Sequence, residues 1–167
     1  MDITTHYKGF GKYYFKKIIR EIIKIGSLDK KNKSILDFGC GEKYLEKKLN
    51  KKILNYDINP KYTEISEWEK YNFDIIIFNH VLMYMSEQEF LKILSKIKIK
   101  NNNIEIIIGM GKESILNKMA AYAALHFSYL ENTKLKYLEQ KKIIYDNLII
   151  IKKSNVLNLS EIFYYKF

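Results

Sequence analysis

Arginine, proline and cysteine each occur once in this 167-residue chain, as Arg20, Pro60 and Cys40, and glycine occurs only seven times. A single cysteine excludes an intrachain disulfide and a multi-cysteine zinc cage, and no metal is expected. So little proline and glycine excludes a collagen-like or low-complexity chain, while 47% hydrophobic and 29% charged residues suit a packed core. Long hydrophobic runs are missing too. Runs such as Asp74 to Phe78 and Ile104 to Ile108 fall far short of the roughly 20 residues that span a bilayer. The first residues hold no apolar signal core, so no membrane association and a cytoplasmic location are expected. With no linker or repeat in sight, residues 1–167 read as one domain.

Lysine is abundant instead, and the formal charge is +10 with pI near 9.4. Such a surplus fits a solvated lysine surface or a polyanionic partner such as RNA. Arg20 supplies the only forked guanidinium, the group that specific phosphate and base contacts often exploit, which weighs against the polyanionic partner.

Periodicity sets the order of elements. Phe15, Ile18, Ile19, Ile22 and Ile23 recur at helical spacing, which predicts a helix over 12–25 within an N-terminal helical segment, 1–30. Ser34 to Phe38 reads as a short buried strand closed by Gly39, Cys40 and Gly41, and Tyr44, Leu45 and Leu49 form one helical stripe after it. Lys52 to Tyr56 predicts a second strand. Only sixteen residues separate Asp57 from Asp74, so the next crossover is expected to be abbreviated. Phe73 to Phe78 has the pattern of a central parallel strand buried on both faces. Ser86 and Glu89 form a capping box before a helix facing Phe90, Leu91, Leu94 and Ile97 inward. Ile104 to Ile108 predicts a further strand, ended by Gly109 to Gly111. Leu116, Met119, Ala120, Ala123 and Phe127 make a helical stripe over 112–131, and Thr133 reads as the N-cap of a helix through Leu135 and Leu138. Leu148 to Leu157 and Glu161 to Phe167 predict a closing antiparallel hairpin. The sum is an α/β chain: a three-layer αβα sandwich, Rossmann-like, with a mostly parallel sheet and a C-terminal antiparallel hairpin. A ligand in such a sheet binds at the carboxyl ends of its strands.

That is where Gly39 and Gly41 lie, two glycines one residue apart between a buried strand and a helix, letting the backbone turn sharply and approach a ligand. Eighteen residues past Gly39, Asp57 ends the second strand, where a carboxylate can accept from both hydroxyls of a ribose. Together they describe an adenosine-type cofactor site. Tyr44 at the sixth position of G-x-G-x-x-G disfavours a dinucleotide, and no P-loop motif is present.

Leu36-Asp37-Phe38-Gly39-Cys40-Gly41, Tyr56-Asp57-Ile58-Asn59-Pro60 and the run from Phe73 to Leu82 resemble the class I S-adenosylmethionine-dependent methyltransferases. The likeness extends over nearly the whole chain, including the closing hairpin. Lys43 departs from it, standing where the family's third glycine is usual. The resemblance implies S-adenosylmethionine as cofactor. Gly39, Cys40 and Gly41 would lie against it, Asp37 would orient its amino group, and Asp57, with Ile58 beside it, would hold the ribose. Glu64 and Ile65 are candidates for the adenine-contacting position, and Asn79 and His80 would stand beside the departing methyl.

A sulfonium methyl is already activated, so the chief demand on the protein is alignment, with a base where the acceptor carries a proton. His80 and Tyr84 are the candidate catalytic side chains, with His126 third. An exocyclic-amino base methyltransferase usually shows Asn or Asp followed by Pro-Pro and an aromatic, where this chain reads Asn79-His80-Val81-Leu82, and Cys40 in the turn does not suit C5-cytosine chemistry. A small-molecule acceptor is therefore expected, with an RNA methyltransferase using the lysine surface and a non-catalytic S-adenosylmethionine-binding regulator as alternatives. Residues 110–132, with Tyr122, His126, Phe127 and Tyr129, form a candidate acceptor-recognition insertion. His6, Tyr7, Phe10 and Gly11 form a candidate lid.

Overall fold

The computed structural model describes residues 9–30, 32–112 and 133–167. Along them run α1 (Gly9–Gly26), β1 (Ile35–Phe38), α2 (Tyr44–Leu49), β2 (Leu54–Tyr56), β3 (Ile75–Asn79), α3 (Glu87–Lys100), β4 (Glu105–Gly111), α4 (Tyr137–Asn147), β5 (Ile149–Val156) and β6 (Ser160–Lys166). Short 3₁₀ turns stand at Trp68–Lys70 and Leu82–Tyr84.

One six-stranded sheet has the order β2-β1-β3-β4-β6-β5. The first four strands are parallel and the last two antiparallel. Alternate residues of the central strands feed two cores. Ile35, Ile75, Ile77, Ile107, Ile162 and Tyr164 meet Ile18 and Ile22 of α1 and Leu45 of α2 on one face. Leu36, Ile76, Phe78, Ile106, Ile108, Phe163 and Tyr165 meet Phe90, Leu94 and Ile97 of α3 and Ile143 and Ile144 of α4 on the other. The expected three-layer sandwich and closing hairpin are both present. No helix of the described residues is long and apolar enough to cross a membrane.

Between β2 and β3 there is no strand and only the turn at Trp68–Lys70, so the crossover is as brief as its length requires. Ile65, Trp68 and Phe73 fill the core where a full helix would pack.

Two expectations need correction. Gly109 to Gly111 do not end the strand: β4 continues through them, because β6 pairs Ile162 with Gly109 and Ser160 with Gly111, a partner some fifty residues away that no local pattern reveals. Thr133 is not the N-cap. The helix begins at Tyr137, with Lys136 as cap and its backbone N–H donating to Glu139 Oε2 at 2.7 Å. Leu135 is buried outside the helix, and Leu138 is exposed on it. The capping box of α3 is present as expected, Glu89 N–H donating to Ser86 Oγ at 3.2 Å and Ser86 N–H to Glu89 Oε2 at 2.6 Å. The helix predicted over 112–131 lies almost wholly in residues 113–132, outside the described residues.

Candidate functional site

The bend after β1 is stitched to the end of β2. Gly39 and Cys40 N–H both donate to the Tyr56 carbonyl, at 2.7 and 3.1 Å. Gly39 has φ +80°, and a Cβ there would lie 2.7 Å from Val81 Cγ2, so glycine is required by conformation and by space. Gly41, at φ +48°, faces the opposite condition, with nothing among the described residues within 4 Å of its absent Cβ. Its N–H donates to Asp57 Oδ2 at 2.9 Å while Asn59 N–H donates to Oδ1 at 2.9 Å. The bend and the downstream carboxylate are thus side by side, and no described residue covers the second glycine. Ile58 follows at the lip, 94% exposed. Lys43 takes φ +57°, the left-handed conformation that glycine favours, and its Nζ reaches Glu64 Oε1 at 2.8 Å.

Asp37 lies beneath this rim, paired in register with Asn55 on one side and Ile77 on the other. It is buried, and no described group donates a hydrogen bond to its carboxyl. Burial, with Asp57 and then Glu46 adding repulsion, pushes its carboxyl up to about 7. Such a carboxylate lacks a cation. Burial also lifts the Cys40 thiol, with Asp37 and Asp57 adding to it, to about 12. Cys40 is a wall of the turn, its Sγ donating to the Tyr62 carbonyl at 3.6 Å, and carries no thiolate at neutral pH.

Beyond β1, the end of β3 presents Asn79 and His80. Asn79 Oδ1 is buried without a hydrogen-bond partner, and a Cβ on the facing Gly109 would lie 2.9 Å from it. His80 sits at φ +57°, its N–H donating to the Gly109 carbonyl at 2.8 Å. Its Nε2 is 3.1 Å from Ser160 Oγ, which is also bonded to the Tyr14 hydroxyl. Tyr14 and Phe15 of α1 meet the imidazole edge-on at ring distances of 6.4 and 5.8 Å.

Asp37, Gly39, Cys40, Gly41, Asp57, Ile58, Asn79 and His80 therefore gather at the carboxyl ends of β1, β2 and β3. Glu64 and Ile65 do not join them. Glu64 N–H pairs with the Asn55 carbonyl along the free edge of β2, and its carboxylate is taken by Lys43, Lys52 and Asn55. Hydrogen bonds from Lys43 and Lys52 hold it down at about 2. Ile65 is turned into the core. Tyr84, in the 3₁₀ turn after His80, is 37% exposed. Phe10 and Gly11 lie in the first turns of α1, while His6, Tyr7, Tyr122, His126, Phe127 and Tyr129 fall outside the described residues. Met110, first residue of the predicted insertion, is core. Tyr14 and Ser160 were missed. Tyr14 reads as one more apolar residue of α1 and Ser160 as a turn residue, and only the fold joins positions 146 residues apart.

No protein-family model matches the chain, and no curated protein does. Solved structures do. The PH0226 protein from Pyrococcus horikoshii OT3 superposes with a TM-score of 0.69 at 11% identity, over 96% of this chain and 93% of that one. A SAM-dependent methyltransferase from Archaeoglobus fulgidus gives 0.61 at 14% identity, over 95% and 98%. Magnesium protoporphyrin IX methyltransferase from Synechocystis PCC 6803, with bound SAH, gives 0.56 at 14% identity, over 98% and 91%. The chain has the class I methyltransferase fold. In the turn before α2, Lys43 holds the left-handed conformation at a cost of roughly 1–2 kcal/mol, and its side chain turns to Glu64.

Proposed function

We propose that this protein is an S-adenosylmethionine-dependent methyltransferase acting on a small-molecule acceptor. One observation carries the reading: Gly41 N–H bonds Asp57 Oδ2 at 2.9 Å, and no atom of the described residues lies within 4 Å of where a Gly41 side chain would begin, which is the grip a nucleoside needs. The residues fit the cofactor in three further ways. Each Asp57 oxygen keeps a lone pair for a ribose hydroxyl after accepting one backbone N–H. Asp37 is a buried carboxylate without a described donor, suited to an ammonium group, and Asn79 Oδ1 is a buried acceptor without a partner.

When bound, S-adenosylmethionine supplies a sulfonium methyl ready for direct displacement. Asp37 and Asp57 then fix the two ends of the ligand, the Gly39–Gly41 bend gives it backbone contact, and His80 takes the acceptor's proton. Tyr14 and Phe15 of α1 pack against the His80 ring, and that aromatic surround suits a small acceptor better than a base presented by folded RNA.

Calorimetric titration with S-adenosylmethionine and S-adenosylhomocysteine tests the reading. The protein is expected to bind both, and Asp57→Ala to lose about 1.5–3 kcal/mol, roughly ten- to a hundred-fold, as charge-assisted hydrogen bonds disappear. Absence of binding by the wild-type chain would overturn it. The RNA reading is separated by salt: a nucleic-acid acceptor gives tRNA or rRNA binding that falls steeply with ionic strength.

A further inference from the structure

Every fourth residue along the outer side of α1 is a cation: Lys12, Lys16, Arg20 and Lys24 are all exposed. At about 1.5 Å per residue they form a ridge about 18 Å long with a charge every ~6 Å. Residues four apart on a helix are neighbours, and like charges there oppose helix formation. The chain offsets almost none of this. Glu21 is the one acid of α1, accepting from Ser154 Oγ at 2.7 Å and standing 3.9 Å from Lys24 Nζ. Lys12, Lys16 and Arg20 have no ion pair among the described residues. The helix holds nonetheless, because Ile18, Ile19, Ile22 and Ile25 are buried on its inner side.

On α3 a row of the same spacing is answered from within the chain. Lys92, Lys96 and Lys100 also stand four residues apart, but Lys96 Nζ meets Glu69 Oε1 at 2.6 Å and Lys100 Nζ donates to the Glu69 carbonyl at 2.8 Å. No described residue plays the part of Glu69 for α1. The chemistry of the occupant follows from what surrounds the ridge. A bilayer surface takes up the apolar face of a helix along with its cations, and the apolar face of α1 is in the core. Single-stranded RNA calls for flat groups on which bases stack, and Tyr13, exposed on α1, has Lys17 Nζ over its ring at 5.4 Å. A second copy of the chain brings a further formal charge of +10. An acidic helix fits, because carboxylates at four-residue spacing make a row with the same ~6 Å repeat, and such rows interdigitate when helices pack.

We propose that the ridge of Lys12, Lys16, Arg20 and Lys24 is a docking surface for an acidic helix of a partner protein, one that carries Asp or Glu at every fourth position. Ammonium and guanidinium groups then face carboxylates along the ridge, and the like-charge repulsion within α1 is relieved. The same helix carries Tyr14 and Phe15, which meet the His80 ring, so a partner seated on the ridge lies one helix away from the candidate site.

Fluorescence anisotropy with the full chain at low salt tests it. The probe is a labelled alanine-based helical peptide with glutamate at every fourth position, set against an isomer whose same glutamates are gathered at one end. The spaced peptide is expected to bind about threefold or more tightly than its isomer. Lys16→Gln with Arg20→Gln is expected to weaken it by about threefold to thirtyfold, the weight of two exposed ion pairs. Lys92→Gln with Lys142→Gln removes the same charge from exposed positions of α3 and α4, and is expected to leave it within about twofold. Polyuridine RNA and phosphatidylglycerol vesicles are expected to respond to the two double variants alike. Circular dichroism confirms that each variant is folded, as substitutions at exposed positions allow. Absence of binding by the spaced peptide, no preference over its isomer, or equal effects of the two double variants on it overturns the proposal. So does RNA or vesicle binding that falls in the ridge variant alone. Titration of the same proteins with S-adenosylhomocysteine reads the methyltransferase proposal separately.

Discussion

The two motif glycines do different work, and substitution separates them. At Gly39 an added methyl meets Val81 Cγ2 at 2.7 Å on a backbone at φ +80°, so Gly39→Ala pays for both conformation and collision, about 2–4 kcal/mol. At Gly41 the methyl meets none of the described residues within 4 Å, leaving only the left-handed penalty of about 1–2 kcal/mol. That methyl does, however, occupy the space into which a ligand would settle. Calorimetry should therefore show a larger fall in Tm for Gly39→Ala, and titration a loss of S-adenosylmethionine affinity in folded Gly41→Ala. Equal effects on stability would remove the distinction. The order of glycines and acid was legible in the sequence because a bend and the next strand end are close along the chain. The mutual exposure of Gly41 and Asp57, and the engagement of Glu64 by Lys43 and Lys52, depend on how the free edge of β2 is covered, which residue types alone do not state.

Elements with a local signature matched expectation: the helix of Ile18 and Ile22, the apolar run of β3 and the Ser86–Glu89 box of α3. Those set by distant partners did not, as in the extension of β4 through Gly111 along β6 and the start of α4 at Tyr137 rather than near Thr133, Lys134 and Leu135 N–H being taken by the Met83 carbonyl. Glu161 shows what ties the antiparallel end together. Its buried carboxylate accepts from the Tyr137 hydroxyl of α4 and from Lys153 of β5 at 2.8 Å, with Lys141 at 3.6 Å and Lys112 at 3.7 Å. Burial works against its charge, but hydrogen bonds from Lys153 and Tyr137 and the charges of Lys141 and Lys153 prevail and hold its pKa below the usual carboxylate range. Its contribution is present above about pH 4.5, where the unfolded carboxyl is ionised, and is lost as pH falls through the depressed folded value. Glu161→Gln leaves three ammonium groups facing one another, and is expected to cost about 2–3 kcal/mol at pH 7. Urea denaturation should show that loss at pH 7 and a smaller one near pH 3; a pH-independent difference would refute the electrostatic account.

At the scale of the whole molecule, Asp37 sets fold stability against binding. Its folded value of about 7 stands above the ordinary 3.8, so the unfolded chain releases this proton first. The stability contributed by the neutral carboxyl is complete below pH 3.8 and lost as pH climbs to about 7, with no further change above. Glu64 acts oppositely but in a lower window, its contribution present above 4.5 and lost on the way down to about 2, so between pH 4.5 and 7 it does not offset the change due to Asp37. An ammonium group brought beside Asp37 reverses the balance, because it stabilises the ionised form that burial penalises. Binding of S-adenosylhomocysteine should then tighten as pH rises toward 7, by at most roughly tenfold per pH unit, and level off above. Asp37→Asn removes the charge without changing the shape. It should raise Tm at pH 8 by about 2–4 °C for each kcal/mol of relieved burial, and it should abolish both the pH dependence and most of the affinity. A stabilised variant that still binds as the wild type does, or wild-type affinity equal at pH 5.5 and pH 8, would show that the amino end of the ligand lies elsewhere.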